Sequence, residues 1–330
     1  IMVSTLGTAA IAAVGLTTQP KFIGLAIFLS LNVAVSALVA RRKGQDDREN
    51  ANRVLVQSIM IVLILTIIVS IVCVAFADPI IRMAGSAEDT HEDAVAYFRI
   101  IMGGMFFNVM SLVINAAQRG AGNTKIALKT NLVSNGVNII FNYLLIGGNL
   151  GFPKLGVSGA AIATVIGTVF AFGMSVYSVT RHKDRFLCLR VYHRLHFDRA
   201  TMGAILNIGS STLAEQIFLR IGFLTYAIIV ANLGTVAFAA HQVGMNIMSL
   251  SFSLGDGLSV AAVALVGQSL GANRGDLAKI YGGVCQRIGL IFACIMSVIF
   301  VCFGRYIFML FSSDPEILDY GQMIMDQVGS

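Results

Sequence analysis

The sequence predicts an all-α membrane protein built from two repeated halves. Three observations carry that expectation. First, the 330 residues are 56% hydrophobic and only 12% charged, whereas soluble domains carry about 25% charge. Second, Val54 to Ala77 is an uncharged stretch of 24 residues between Arg53 and Asp78, longer than the roughly 20 residues a helix needs to cross a bilayer. Third, the phrase LGTAAIAA at 6–13 returns as LGTVAFAA at 233–240, an offset of 227 positions.

Apolar runs and their breaks place the spans. Residues 1–6 read as the tail of a helix. Spans follow at about 10–40, 54–77, 94–117, 126–147, 157–180, 201–232, 236–267 and 277–304, and another begins near Ile317. Nine to ten spans are therefore expected. The breaks carry turn chemistry: RRKGQDDREN at 41–50, QRGAGNTK at 118–125, GGNLGFPKLG at 147–156 and SLGANRGD at 269–276. The polar stretch 181–199 divides the chain. The organisation expected is an N-terminal lobe at 1–180, a basic linker at 181–200 and part of a C-terminal lobe at 201–330.

Charge gives the orientation. Of 23 Lys and Arg residues, 17 lie in 41–53, 118–129, 181–199 and 268–287. These segments share one side if each run crosses once, and the basic side is expected to be cytoplasmic. The loop at 78–93 is acidic. The net charge of +6 is thus a topology signal. The cations are spread over several loops without interleaved aromatics, which excludes a nucleic-acid partner.

The repeat extends beyond its opening phrase. LNVAVSALV at 31–39 matches LSVAAVALV at 258–266 at six of nine positions, and 6–51 carries 14 identities in 46 pairs at the same offset. An even number of spans separates the copies, so they run in the same direction. Parallel repeats about an axis along the membrane normal are a transporter architecture. Extending the repeat implies a chain truncated at both ends, with an intact protein of roughly 450 residues and twelve spans.

Ionisable groups inside a membrane are costly and are functional candidates. Arg99, Glu215, Arg220 and Asp256 meet that description. Glu215 lies midway along its span, where a carboxylate can exchange a proton for a cationic compound. The alternative is a structural pair with Arg220. Asp256 sits between Gly255 and Gly257, which suggests a broken helix or a close helix contact. It is either a cleft-facing carboxylate or a polar group bonded to that break. Arg99 and Arg220 are expected to be structural partners for carboxylates or carbonyls. Asn115, Gln118, His241 and Gln242 read as packing groups at helix ends or interfaces.

GVSGAAIATVIG at 156–167, NAAQRGAGNTK at 115–125, LGTVAFAAHQVG at 233–244 and AVALVGQSLGANRGDLA at 262–278 resemble the multidrug and toxic compound extrusion family. The resemblance covers essentially the whole chain. It implies two six-helix bundles around a central cleft, in a bacterial inner membrane. It also implies export of drugs, organic cations or other amphipathic compounds in exchange for Na⁺ or H⁺. Relatives place a cation site in the first lobe, around an Asp on the first helix that would precede Ile1. The positions of that site that can be matched here are Asn138, Asn142 and Thr164. They imply either a Na⁺ site or hydrogen bonds between helices. Some relatives carry Asp where Asn142 stands, so this site has one charge fewer. A lipid-linked precursor flippase of the same superfamily is the alternative.

Other chemistry is not signalled. The five cysteines, at 73, 188, 285, 294 and 302, show no CxxC spacing. His193 and His196 make no convincing metal site. Neither a Walker loop nor a nucleophile–base pair is apparent. The expectation is a transporter and not an enzyme, without a cofactor, driven by an ion gradient. Its partners would be small molecules and the bilayer, and it would act as a monomer.

Overall fold

The computed structural model describes residues 8–86, 88–181, 186–189, 198–231 and 235–309. The expected helix at residues 1–6 and the span from Ile317 lie outside them, as do His193 and His196. Among the described residues, ten α-helices follow one another: α1 Thr8–Gly44, α2 Arg48–Ala75, α3 Ala77–Met83, α4 Glu88–Gly103, α5 Met105–Gly120, α6 Thr124–Gly147, α7 Gly156–Thr180, α8 Arg199–Ala231, α9 Thr235–Gly271 and α10 Gly275–Met309. No strand occurs among the described residues. The protein is an all-α membrane protein.

The repeat is visible in the helix bounds. Gly44 ends α1 and Arg48 begins α2, and Gly271 ends α9 and Gly275 begins α10, each 227 positions on. The turns match as well. Asp46 (φ 52°) and Asn273 (φ 56°) both adopt the left-handed conformation, which short polar side chains tolerate best after glycine. In each turn two amides reach back to the preceding helix: Asp46 to Lys43 and Asp47 to Arg42, then Asn273 to Leu270 and Arg274 to Ser269. The offset therefore preserves backbone geometry as well as residue type.

Among the described residues, five helical stretches are long and apolar enough to cross a membrane: Ala13–Gly44, Arg48–Ala75, Gly156–Thr180, Ile247–Gly271 and Gly275–Phe303. The expected single span at 94–117 is instead a bent pair, with Thr90–Gly103 and Met105–Gly120 meeting at 46°. Gly104 supplies the bend. A Cβ there would lie 2.5 Å from Val165 Cγ2, so the hinge packs directly on α7. The break suggested at SLGDGLS is not made. Helix α9 runs unbroken through SLGDGLS, because two isolated glycines lower helix propensity without removing a hydrogen bond.

The chain divides into two compact units, Ile1–Leu213 and Ala214–Ser330, with the boundary inside α8. In the first unit, α2 shows how lipid replaces water. Its Leu55, Ile61 and Val62 are buried, whereas Ile64, Ile67, Ile68 and Ile71 are exposed at helical spacing along one stripe. Close helix approach uses small residues. A Cβ on Gly120 would meet the Ser36 carbonyl oxygen of α1 at 2.4 Å, and one on Gly159 would meet the Leu145 carbonyl of α6 at 2.6 Å.

Several buried polar side chains pair across helices. Asn115 donates to Thr130 Oγ1 at 3.0 Å, Ser111 and Ser175 share a bond of 3.0 Å, and Gln118 donates to Ser178 Oγ at 3.0 Å. These bonds tie α5 to α6 and α7, which is the packing role expected of Asn115 and Gln118. His241 is not at a helix end. It lies within α9, buried, with its ring 4.9 Å from that of Tyr226 on α8.

The described part of the linker docks on the α1–α2 turn. Asn52 Nδ2 donates to the Phe186 carbonyl at 3.0 Å, and the Cys188 amide donates to Asn52 Oδ1 at 2.7 Å. Lys43 Nζ lies 4.1 Å from the centre of the Phe186 ring. Asp198 then starts α8 by accepting from the Ala200 amide and the Thr201 hydroxyl. These bonds, led by Thr201, hold its carboxyl below the usual aspartate range.

Candidate functional site

The first candidate region lies in the first unit, where α6 and α7 pack along most of their length. Gly167 permits this, since a Cβ there would meet the Ser134 carbonyl at 2.8 Å. Across the interface runs a relay of amides. Asn142 Nδ2 donates to Asn138 Oδ1 at 2.9 Å, Asn138 Nδ2 donates to Thr164 Oγ1 at 3.1 Å, and Thr164 donates to the Ala160 carbonyl at 2.9 Å. The structure thus brings together all three residues expected of the first-lobe site. Asn142 Oδ1 ends the relay, buried and without a partner among the described residues. An unpaired buried acceptor is costly unless something donates to it or coordinates it. The Asn138 and Asn142 pair belongs to a longer stripe: Asn131, Asn135, Asn138 and Asn142 recur at spacings of four and three along α6, and so share one face. The helical spacing made that stripe legible in the sequence.

A cavity of about 190 Å³ opens beside Thr164. It lies between α1, the α4–α5 bend and α7, and Lys21, Phe22, Asn108, Thr164, Val165 and Thr168 line it. Lys21 is the charged residue that the expected set omitted. It sits within the apolar stretch Ala13–Gly44, directly after Pro20 in a polar patch, TTQPK. That patch was the available signal, and it resembles a loop more than a span.

The second candidate region lies in the second unit. Glu215 is exposed on α8, and with Phe218, Leu219, Gly222, Phe223 and Tyr226 it lines an open cleft of about 550 Å³. The spacing places these residues on one helix face. Phe223 meets Phe252 of α9 edge-on, with ring centres 6.2 Å apart. Glu215 forms no ion pair among the described residues, so the expected pair with Arg220 is not made. Five residues separate the two, which turns their side chains to different sides of the helix. Arg220 is half-buried.

Asp256 and Arg99 are both exposed and in no ion pair among the described residues. Asp256 has no helix break to bond, because α9 is continuous. It does not line the cleft that Glu215 lines. Arg99 on α4 is no carboxylate's partner there. An exposed carboxylate beside aromatic rings is a setting for organic cations, which ring faces attract. No group of three His, Cys, Asp or Glu residues that could hold a metal ion occurs among the described residues.

One further hydrogen-bonded row was not anticipated. Ser86 Oγ lies 2.7 Å from His91 Nδ1, and His91 Nε2 lies 2.8 Å from Asp78 Oδ1. It fastens the turn between α3 and α4, and Arg82 reaches the same carboxylate at 3.1 Å. The His91 bond, with Arg82 beside it, holds the Asp78 carboxyl below its usual range.

Comparison with known proteins bears on both regions. The MatE family model matches residues 1–144 and 212–328. The chain belongs to the MatE family. It is 28% identical over 324 residues to the probable multidrug resistance protein NorM of Thermotoga maritima, covering 97% of this chain and 68% of that one. It is 27% identical over 286 residues to the protein of the same name from Bacillus cereus, and there it spans 63% of the relative's length. Among solved structures, a multidrug resistance MATE family transporter of the MOP superfamily in its outward-facing conformation superposes with a TM-score of 0.86. That match has 25% identity and covers 98% of this chain and 71% of the other. The MatE match covers α8 from residue 212 onward, including Glu215, and α6 as far as residue 144, including Asn138 and Asn142. Thr164, on α7, lies outside both matched segments.

Proposed function

We propose that this MatE protein is a secondary active multidrug efflux antiporter. It exports organic cations or other amphipathic compounds in exchange for Na⁺ or H⁺, by alternating access between two lobes. The lobes are 1–180 and 201–330, joined by the basic linker 181–200. The setting is the cytoplasmic membrane, with the basic loops on the cytoplasmic side. The names of the relatives support this reading.

The observation that carries it is Glu215. A carboxylate on an aromatic helix face, without an ion-pair partner among the described residues, can hold one positive charge at a time. A proton, a Na⁺ ion and a cationic compound then exclude one another. Binding the coupling ion releases the compound on one side, and losing the ion readies the carboxylate on the other. The aromatic rings hold the apolar body of the compound loosely, which suits varied substrates. In the first unit, Asn142 Oδ1 is the open acceptor toward which Na⁺ would be drawn, with Asn138 and Thr164 as neighbouring oxygens.

The test uses the intact protein in vesicles loaded with a fluorescent organic cation, with a Na⁺ gradient and a pH gradient imposed separately. Dye movement driven by one of them is expected, and Glu215→Gln should reduce it by tenfold or more, on the order of one charge-assisted contact. Movement undiminished in Glu215→Gln would remove this residue from the mechanism. If neither gradient moves any of several dyes, the efflux reading falls.

A further inference from the structure

We propose that the cavity between α1, the α4–α5 bend and α7 is an anion site. Its ligand is a small carboxylate with an apolar body, and Lys21 is the counter-charge. The argument begins with the cost of Lys21. An ammonium within a membrane-spanning stretch is expensive unless something compensates it. Among the described residues Lys21 makes no salt bridge, and none of the residues that line the cavity is acidic. Its Nζ lies 5.6 Å from the centre of the Phe22 ring.

The walls narrow the chemistry further. Thr164 and Thr168 turn their hydroxyl protons back to the Ala160 and Val165 carbonyls, at 2.9 and 2.7 Å. Neither proton is then free for a ligand. Donation into the cavity falls to the Lys21 ammonium and the Asn108 amide, whose side chain makes no hydrogen bond among the described residues. Two N–H donors and no acid suit a carboxylate, which is purely an acceptor when ionised. The rest of the wall is apolar, with Phe22, Met102 and Val165 prominent. Size then bounds the ligand. An apolar cavity of about 150 Å³ accepts benzene, so about 190 Å³ accepts a benzoate-sized anion. The same ammonium, on α1, lines the cavity that Thr164 of α7 also lines, and it opposes a metal cation entering through that cavity.

This assignment is independent of the transport reading, because binding can be measured without a gradient. The protein in nanodiscs of neutral phosphatidylcholine is titrated with 4-fluorobenzoate and with 4-fluorobenzylamine, probes of like size and opposite charge, followed by fluorine NMR. The carboxylate should broaden and shift on binding, and the amine should not. Lys21→Gln should weaken carboxylate binding by about tenfold or more, and Lys21→Arg should retain most of it. Val165→Phe, which keeps the charge and fills the space, should abolish it, placing the probe in this cavity rather than at another cationic residue. Equal or tighter binding of the amine to the unmodified protein overturns the proposal, whether or not the variants fold. So does carboxylate binding that survives both Lys21→Gln and Val165→Phe. Repeating the titration with phosphatidylglycerol in the nanodisc tests the ligand class: unchanged binding supports a soluble carboxylate, and displacement of the probe overturns it in favour of a lipid phosphate.

Discussion

Gly120→Ala tests the packing of the first unit with one methyl group. The new Cβ would sit 2.4 Å from the Ser36 carbonyl oxygen and 3.1 Å from the Ala40 nitrogen. Both are backbone atoms of α1, so no side chain can rotate away. A tolerable carbon–oxygen approach is about 3.3 Å or more, and the end of α5 must therefore retreat from α1 by nearly 1 Å. The adjacent hydrogen bond from Arg119 to Asn32, 3.0 Å long, spans the same interface and would stretch with it. Overpacking of this kind costs about 1–3 kcal/mol. Gly136→Ala is the matched control, because it lies inside α6 with nothing within 4 Å of the new Cβ. There the better helix propensity of Ala should stabilise by up to about 1 kcal/mol. The assay is thermal unfolding in detergent of a protein whose other four cysteines are replaced by serine, followed by a thiol-reactive dye that reports exposure of Cys188, which is fully buried in the fold. Gly120→Ala should unfold at a lower temperature than the parent protein, and Gly136→Ala at the same or a higher one. A Gly120→Ala protein as stable as the parent would refute the close approach of α1 and α5.

Other outcomes follow from single contacts. Asn52→Ala leaves the Cys188 amide without its partner, while the Phe186 carbonyl keeps Arg48 Nε at 3.3 Å, which should cost about 1–3 kcal/mol and make Cys188 label faster with a maleimide in the folded protein. The Asp78 carboxyl has its affinity for protons lowered in the fold, so its contribution is present above the usual aspartate range and is lost as pH falls through the lowered value. Amide exchange at the α3–α4 turn should therefore stay slow at neutral pH, once corrected for intrinsic rates, and speed up in strong acid. His91→Ala should show the faster exchange already at neutral pH.

Much of this protein was legible in its residues. Low charge and long apolar runs fixed the class, because a chain that cannot cover itself with charge needs lipid as solvent. The repeat of 227 was readable as well, and the turns at Asp46 and Asn273 show why. Local hydrogen bonds between neighbouring residues make those turns, so a local sequence match carries them. Asn138, Asn142 and Thr164 were all supplied by the family resemblance, and the spacing of four between the two asparagines agreed with it by placing both on one helix face.

Tertiary structure decided the rest. Whether Gly104 bends the 94–117 run depends on Val165, a residue 61 positions away that occupies the space beside it. Whether Gly255 and Gly257 break α9 could not be read from propensity alone, and they do not. The pairing of Glu215 with Arg220 was a question of side-chain direction, settled by the helix turn between them. Lys21 was the largest omission. Its setting is made by three elements far apart in sequence, and a lone cation in a polar patch gives no sign that a cavity surrounds it. Composition and periodicity report what a residue's own neighbours impose. What surrounds a charge inside a bundle is set by helices that meet only when the chain folds.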